Sequence, residues 1–411
     1  MDQIALARVA AMDAPTLERF ADLIVGFGAN VQPDQIVSVA CEPGKERLVR
    51  AIAASAYRRG ARFVDILWFD PWVKRTRIQF ARDETLEFVP SWYGERVLEL
   101  GRQRAARIAL SGPVALGLLS DLDPVRAGRD RLPAVEESGQ VVTGRTTNWT
   151  IAPCPTPEWG QLAFPDLDSE AAFERLEREL LHVCRLDEPD PISAWRSRAD
   201  QLVAVAERLT ERRFDAIHYD GPGTDLTVGL LRSAAWRAAR FETVDGIGHM
   251  PNLPTEEVFT SPDPTRADGH VTSTKPLVLI DGTVVRGLRV RFEGGRAVEI
   301  DADEGGETLR TVCATDDGGT RLGEVALVDG EGRIGALETI FYDTLLDENA
   351  ASHIAFGRGF EFVVADESER ERVNQSVLHI DFMIGSPEMT VTGITSDGER
   401  VPVLVRGSWA I

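Results

Sequence analysis

Short apolar strands that alternate with amphipathic helices dominate the first part of the chain. Residues 35–41 and 62–69 have the β-branched character of buried strands, and residues 45–61 between them have helical periodicity. A further helical stretch over residues 95–105 leads into a third apolar strand at residues 107–112. Strands that alternate with helices of this length predict a wound, parallel sheet of the α/β class.

The pattern changes in the second half of the chain. Helical patterns fill residues 165–213, and beyond residue 214 short strands alternate with turns rich in Gly and Asp. This spacing of turns indicates hairpins in a mainly antiparallel or mixed sheet. Because 411 residues exceed the size of a typical single core, we expect an N-terminal α/β domain over residues 1–200 and a C-terminal mixed α+β domain over residues 201–411.

The composition excludes several classes of function. A formal net charge of −21 argues against nucleic acid as the main partner, since phosphate binding needs clusters of Lys and Arg. No window approaches the roughly 18 uncharged apolar residues of a membrane span, and the N-terminus lacks the pattern of a signal peptide. The four cysteines form no C-x-x-C pair. We therefore expect a protein of a reducing compartment, the cytoplasm, that does not bind membranes.

A histidine and an acid stand close together near the C-terminus. His379 and Asp381 belong to a strand-like run and are two residues apart, so their side chains share one face while Ile380 and Phe382 point to the other. The spacing places an imidazole beside a carboxylate. Taken alone, such a pair is more typical of a structural hydrogen bond than of a metal site.

A second histidine lies close to acids upstream. Asn349 is a candidate N-cap of a helix that contains His353, and Glu348 precedes it. On an ideal helix Glu348 and His353 would point about 140° apart. They can therefore converge only if Glu348 lies before the helix begins.

Three further carboxylates occur in apolar surroundings. Glu324 interrupts an apolar strand, where an unpaired charge is costly, so we expect a metal ion or a salt bridge to an arginine such as Arg321. Glu256 and Glu257 are adjacent ahead of an apolar pair. In an extended segment they face opposite ways, so at most one of them can reach a shared site.

The segments that carry these residues resemble a known family when they are taken together. In order along the chain they read NLPTEEVFTSP, RLGEVALV, FYDTLLDENAASHIAFGRG and SVLHIDFMIGSPEM. They resemble the M29 family of metallo-aminopeptidases, the thermophilic aminopeptidase T group, and so do GPGTDLTVGL and NWTIAPCPTPEWG upstream. The resemblance covers most of the chain. It implies a hydrolase that removes the N-terminal residue of a peptide or small amide substrate, and a homodimer.

The resemblance also implies a metal centre with six protein ligands. Such a set is too large for one tetrahedral ion but suits two ions that share a bridging carboxylate, for which Glu324 is the candidate. Oxygen and imidazole ligands without thiolates suit zinc, cobalt or manganese. Glu256 remains as a candidate general base or as a support for the ligands. The positions that match the family ligands are Glu257, Glu324, Glu348, His353, His379 and Asp381.

One position departs from the family pattern. The resemblance implies a tyrosine seven residues after the ligand histidine, where it would donate a hydrogen bond to the oxyanion. Phe360 occupies that position and has no hydroxyl group. Metal binding is therefore a firmer expectation than peptidase activity.

Two alternatives remain. Proteins of similar fold act as non-haem iron dioxygenases on dihydroxypyridines, and His353, His379 and Asp381 would satisfy their triad of two histidines and one carboxylate. A single iron has no need of Glu257 and Glu324, so the two-metal hydrolase is the preferred interpretation. The second alternative is a homologue that binds metal but has lost turnover.

Overall fold

The first part of the protein is built on a parallel sheet. The structure is a computed structural model that describes residues 12–130, 133–279 and 282–411. Four strands pair in parallel in the order β2-β1-β3-β4. This arrangement confirms the predicted wound α/β class. The strands are β1 (Ile36–Cys41), β2 (Phe63–Trp68), β3 (Ala106–Ser111) and β4 (Asn148–Pro153).

Helices connect these strands, and several begin at a sequence-encoded cap. The Asp70 and Asp190 side chains accept hydrogen bonds from the first turns of α3 and α9, and both helices have proline in that turn. No helix in the described ranges has both the length and the apolar character needed to cross a bilayer. The helices are α1 (Ala14–Leu23), α2 (Glu46–Arg58), α3 (Pro71–Phe80), α4 (Trp92–Arg102), α5 (Pro124–Arg129), α6 (Val135–Thr143), α7 (Pro157–Ala163), α8 (Ser169–Val183) and α9 (Pro191–Arg212).

The second part is mainly antiparallel, as its turn spacing predicts. Its strands are β5 (Ala216–Gly221), β6 (Thr224–Leu230), β7 (Arg237–Ala238), β8 (Phe241–Glu242), β9 (Gly248–His249), β10 (Glu257–Thr260), β11 (Pro262–Thr272), β12 (Leu277–Val278), β13 (Val284–Val285), β14 (Arg289–Glu293), β15 (Arg296–Asp301), β16 (Leu322–Val328), β17 (His353–Gly357), β18 (His379–Met383), β19 (Thr390–Ile394), β20 (Arg400–Val405) and β21 (Ser408–Trp409). Short helices interrupt them, namely α10 (Gly306–Cys313), α11 (Arg333–Ala336), α12 (Thr344–Glu348) and α13 (Glu367–Arg370).

Two antiparallel sheets hold most of these strands, and β8-β9 and β12-β13 form two separate pairs. The larger has the order β15-β14-β11-β6-β5-β19-β20-β21, and the smaller has the order β18-β17-β16-β10-β7. Phe356 of the smaller sheet lies 5.0 Å from Phe382 and 5.9 Å from Phe292 of the larger one, measured between ring centroids. This apolar face of the smaller sheet therefore packs into the core, and its other face is left for polar side chains.

The two parts of the chain are in direct contact. Ile151 of β4 donates a backbone hydrogen bond to Pro251 and accepts one from Leu253. The predicted boundary after residue 200 falls inside α9, and the first strand of the second part begins at Ala216. The division at that residue stays a prediction.

Candidate metal centre

Several predicted ligands lie on one face of the five-stranded sheet. Glu324 pairs with Ala355, and Ala355 pairs with Asp381. Residues directly opposite each other in a sheet share a face, and so do residues two apart along a strand. His353 and His379 therefore point to the same side as these carboxylates. The small side chain of Ala355, at the middle of the group, leaves room above the sheet.

Two more acids reach the same region from its borders. Glu257 begins β10 and pairs with Val328, which lies four residues after Glu324 and so on the same face. Glu348 ends α12, a helix that packs against β18. Strands and helix thus bring all six predicted ligand positions to one region.

The side chains form two groups that share one member. The potential ligand atoms of Glu257, Glu324 and His353 all lie within 4.8 Å of one another, and the same holds for Glu324, His379 and Asp381. His353 Nε2 lies 3.2 Å from Glu257 Oε2. His379 Nε2 lies 3.0 Å from Glu324 Oε2 and 3.3 Å from Asp381 Oδ1. Glu324 is therefore at the position that a bridging carboxylate would need.

The local structure around His353 differs from the sequence prediction. His353 begins strand β17 and is not in a helix, and Asn349 follows α12 as its C-cap instead of capping the start of a helix. Every residue of β17 is buried, so the run lacks the alternation that distinguishes a strand exposed on one side. Because Glu348 and His353 lie on different elements, the helical angle between them does not keep them apart.

Both histidines are held in the tautomer that suits a metal ligand. Nδ1 of His353 lies 3.1 Å from the carbonyl oxygen of Ala351, and Nδ1 of His379 lies 2.8 Å from that of Arg358. A carbonyl oxygen only accepts hydrogen bonds, so each Nδ1 carries the proton. Each Nε2 faces the carboxylates and is the nitrogen that would bind a metal once it gives up its own proton, as in metal sites whose histidines are oriented by backbone carbonyls.

The carboxylates of the group are crowded and poorly solvated. Burial raises the pKa of Glu324 to about 7, with further contributions from the charges of Asp381 and Glu257. Burial also raises the pKa of Glu348 well above its ordinary value, and the same neighbouring acids add to this effect. Carboxylates in such a position are stabilised in their charged form by a cation among them.

The histidines respond to the same negative field. Burial opposes protonation of His353, but the hydrogen bond with Glu257 and the surrounding acids raise its pKa to about 9.

Oδ1 of Asp381 is buried and accepts no well-aligned hydrogen bond. A donor set of buried carboxylates and imidazole nitrogens with an unsatisfied oxygen fits one or two divalent cations that prefer oxygen and nitrogen ligands.

Glu256 points away from this group. Its carboxylate accepts hydrogen bonds from Arg185 Nη2 at 3.0 Å and from Arg198 Nε at 2.5 Å, and the side chain is fully buried. Arg198 also pairs with Asp329 at 2.9 Å. The structure therefore brings Glu257, but not Glu256, to the other predicted residues, as the alternation along a strand requires.

Arg321, the possible salt-bridge partner of Glu324, donates instead to the carbonyl of Pro264.

The structure adds supporting residues that the sequence did not single out. Buried Asn349 accepts a hydrogen bond from the Glu256 amide at 2.7 Å, and its amide group lies 3.3 Å from Glu348 Oε1. Asp343 caps α12 and also accepts a hydrogen bond from the Gly112 amide at 2.8 Å. The only sequence signal for these roles is an unusual density of polar residues within an apolar segment, FYDTLLDEN.

A comparison of the whole chain with models of protein families finds one match. The model is described as thermophilic metalloprotease (M29), and it matches residues 13–409. The chain belongs to the M29 metalloprotease family. This result confirms the predicted family and, with it, a hydrolase that depends on metal.

Relatives of known name match the chain over nearly their full length. This M29 chain is 40% identical to aminopeptidase T of Thermus aquaticus over 97% of its own length and 100% of that protein. It is 35% identical to aminopeptidase 2 of Geobacillus stearothermophilus over 96% of its own length and 97% of that protein. The solved structure of wild-type AmpT from Thermus thermophilus is 40% identical and covers 96% of this chain and 99% of its own, with a TM-score of 0.88.

A more distant solved structure resembles the M29 chain in fold. It is the 2,5-dihydroxypyridine dioxygenase from Pseudomonas putida, with a TM-score of 0.55 and 14% identity over 97% of this chain and 98% of its own. At that identity the similarity supports the fold alone. The dioxygenase alternative is therefore not favoured by the comparisons.

Proposed function

We propose that this M29 metalloprotease is a two-metal aminopeptidase, which removes the N-terminal residue of peptides or small amides. The observation that carries the proposal is the position of Glu324, which belongs to both groups of potential ligands. The names of the relatives at 35–40% identity support the exopeptidase activity.

The ligands divide naturally between two cations. Glu257 and His353 would hold one ion, His379 and Asp381 the other, and Glu324 both. Glu348 would complete the set from α12. When bound, two ions of zinc, cobalt or manganese supply an activated water and polarise the scissile carbonyl.

The chain's own groups would bind and orient the substrate. The hydrogen bonds from His353 and His379 to backbone carbonyls keep both rings in place. A bound cation would offer a binding position for the free amino group of the substrate, which would favour substrates with a free amino end. Glu256, with both oxygens bonded to arginines, supports the strand that carries Glu257 and is not the general base in this proposal.

Metal analysis combined with a simple assay tests this proposal. Purified protein should contain more than one divalent ion per chain and should hydrolyse leucine p-nitroanilide but not its N-acetylated form. Glu324→Gln should lower hydrolysis by at least about a thousandfold, because it removes the shared ligand. Glu331→Gln, at an exposed glutamate outside the site, is the matched control and should keep full activity.

Other outcomes of this assay would contradict the proposal. Full activity of Glu324→Gln would exclude a shared-ligand site. One iron per chain with oxygen consumption on a dihydroxypyridine would establish the dioxygenase alternative. Bound metal without release of an amino acid from any substrate would indicate a homologue that has lost turnover.

We also propose a homodimer, formed through the open edge of the parallel sheet. None of the residues of edge strand β2 is buried, although parallel sheets are normally covered on both faces. Large apolar side chains in β2 and in the segment that follows it are between 46% and 74% exposed, namely Phe63, Trp68, Trp72, Phe80, Phe88 and Trp92. Apolar surface of this kind is typical of an interaction site.

Charge favours a second copy as the occupant of this edge. Residues 57–107 contain eleven Lys and Arg against seven Asp and Glu, a net charge of +4 in a chain of −21. In a symmetric dimer this edge meets the same edge of the other copy, and its small net charge opposes that contact far less than the strongly acidic remainder of the chain would. Light scattering should give a dimer for the wild type and a monomer for Phe63→Glu combined with Trp72→Glu. Val298→Glu, on β15, should remain dimeric; a monomeric wild type at micromolar concentration would contradict the proposal.

A cytoplasmic location completes the proposal. All four cysteines are buried and unpaired, which is typical of proteins from a reducing compartment. Cell fractionation tests this location directly, and recovery of the protein in a secreted fraction would contradict it.

A further inference from the structure

The metal centre has one side that is more open than the others. The side chain of His379 is 30% exposed, whereas those of Glu257, Glu324, His353 and Asp381 are at most 10% exposed. The face of the sheet and the neighbouring elements cover the other four. Glu348, the sixth proposed ligand, is half-buried. A molecule can therefore reach the centre past His379.

An aromatic surface borders this open side. The ring of Phe360 lies 5.3 Å from that of His379, between centroids, and it is only partly buried. Phe259 lies 5.2 Å and Phe362 lies 5.5 Å from Phe360. We call Phe259, Phe360 and Phe362 the aromatic wall. Phe241 contacts Phe259 and Phe362 but makes no ring contact with His379 among the described residues.

The backbone fixes the aromatic wall relative to the centre. The carbonyl of Arg358 that accepts from His379 Nδ1 lies two residues before Phe360, and the Phe360 amide donates to Ser261 Oγ at 2.7 Å. Gly359 between them has no space for a side chain, since a Cβ there would lie 2.7 Å from Val373 Cγ1. The loop that orients His379 therefore also holds the Phe360 ring in place.

We propose that Phe360 and Phe362 hold the side chain of the substrate's first residue, so that the enzyme prefers peptides that begin with a large apolar residue. The inference rests on the proposed aminopeptidase function and specifies its substrate class. In an aminopeptidase the amino group and the scissile carbonyl of the first residue both lie at the metal centre. The side chain of that residue branches from the carbon between them, and so comes within reach of a ring 5.3 Å from His379.

The physical basis of the preference is the chemistry of the wall. A leucine or phenylalanine side chain that covers the exposed part of the rings removes apolar surface from water. A carboxylate side chain in the same place would lose hydration without gaining a hydrogen-bond partner from phenylalanine rings. An alanine methyl group is too short to cover them.

A matched series of substrates tests the inference on the metal-loaded enzyme. The p-nitroanilides of leucine, phenylalanine, alanine and glutamate should differ in kcat/KM, with leucine and phenylalanine roughly tenfold or more above the other two. Phe360→Ala should lower kcat/KM for leucine and phenylalanine by roughly tenfold and for alanine by no more than about twofold. Phe360→Tyr keeps the ring and should keep the preference.

Control variants separate this role from packing and from the proposed function itself. Phe241→Ala removes a neighbouring ring and should leave the ratio of kcat/KM for leucine to that for alanine unchanged. Phe362→Ala should lower this ratio, and it replaces Phe360→Ala as the test if that variant does not fold. An unchanged ratio in the folded variants, or an equal loss on all substrates, would overturn the inference while hydrolysis still supports an aminopeptidase. No hydrolysis of any substrate by the wild type would instead contradict the proposed function.

Discussion

At the scale of single residues, the centre concentrates negative charge where water cannot screen it. Glu324 and Glu348 have raised pKa values because they are buried next to other acids. A protein that keeps several carboxylates together in this way needs a compensating cation. This requirement, together with the two groups of potential ligand atoms, supports the proposal that the group is a metal centre.

The first prediction concerns competition between protons and metal. In the metal-free protein the pKa of His353 is about 9 and that of Glu324 is about 7. A cation must therefore displace a proton from His353 at pH 8, and also one from Glu324 as the pH falls below 7. We expect metal loading at pH 8 to release protons, and metal content after dialysis to fall steeply between pH 7 and pH 5. A content that is constant down to pH 5 would contradict the assignment of these ligands.

A second prediction concerns the buried arginine behind the centre. Arg198 neutralises Glu256 and Asp329, both of which are buried. Arg198→Leu would leave two buried carboxylates without this partner, so we expect a loss of about 3 kcal/mol in the free energy of unfolding. Arg208→Leu, at an exposed position of the same helix, should change it by less than about 0.5 kcal/mol. Denaturant unfolding of both variants measures the difference, and equal losses would mean that the ion pairs are not responsible.

One pair of candidate ligands was predictable because its spacing reflects the face of a strand, whereas His353 was expected in a helix and begins β17. His379 and Asp381, two residues apart, lie together on β18 as the alternation requires. The choice between Glu256 and Glu257 could not be made from alternation, because either register satisfies it. Only the pairing of Glu257 with Val328 on β16 places one carboxylate toward the centre and the other toward the arginines.

At the scale of elements, α12 connects the two parts of the molecule to the centre. Asp343 caps this short helix and accepts a hydrogen bond from Gly112, which follows β3. The same helix ends at Glu348. The N-terminal sheet thereby helps to position a proposed metal ligand, which gives that part of the chain a role in the site.

A third prediction tests this connection. Asp343→Ala removes the cap and the contact with Gly112, so we expect a loss of about 1 kcal/mol in stability and roughly tenfold weaker metal binding. Asp366 caps α13 in the same way through Ser368 and Glu369, and Asp366→Ala is the matched control. Metal titration should show weaker binding for the first variant alone. Equal metal affinity in the two variants would show that α12 does not depend on this contact.

Strand β17 shows where sequence patterns fail at this scale. Its residues are buried on both faces, so apolar periodicity does not distinguish it from a helix. The strands of the N-terminal sheet were predictable because turns and amphipathic helices separate them. The capped helices were predictable for a related reason, since an Asp-Pro pair marks the start of α3 and α9.

At the scale of the whole molecule, the centre depends on pairing between strands that are distant in sequence. Glu257 on β10 pairs with β16 at Val328, across an intervening segment that includes most of the larger sheet. No local pattern specifies the order β18-β17-β16-β10-β7, because it results from the packing of two sheets. The sequence therefore predicts the two fold classes and the ligand types, but not the sheet that assembles them.

The assembly of the centre from distant segments makes metal binding a contribution to global stability. A cation that binds the folded chain and not the unfolded one stabilises it by about 4 kcal/mol when its concentration is a thousandfold above Kd. Removal of metal also leaves the buried carboxylates of Glu324, Glu348 and Asp381 without a cation, so that some of them must take up protons to relieve their repulsion. We therefore expect chelation to lower the melting temperature of the wild type by several degrees, as measured by calorimetry. Glu324→Gln, which lacks the shared ligand, should respond to chelator much less, and an equal response in both proteins would mean that the stabilising ion lies elsewhere.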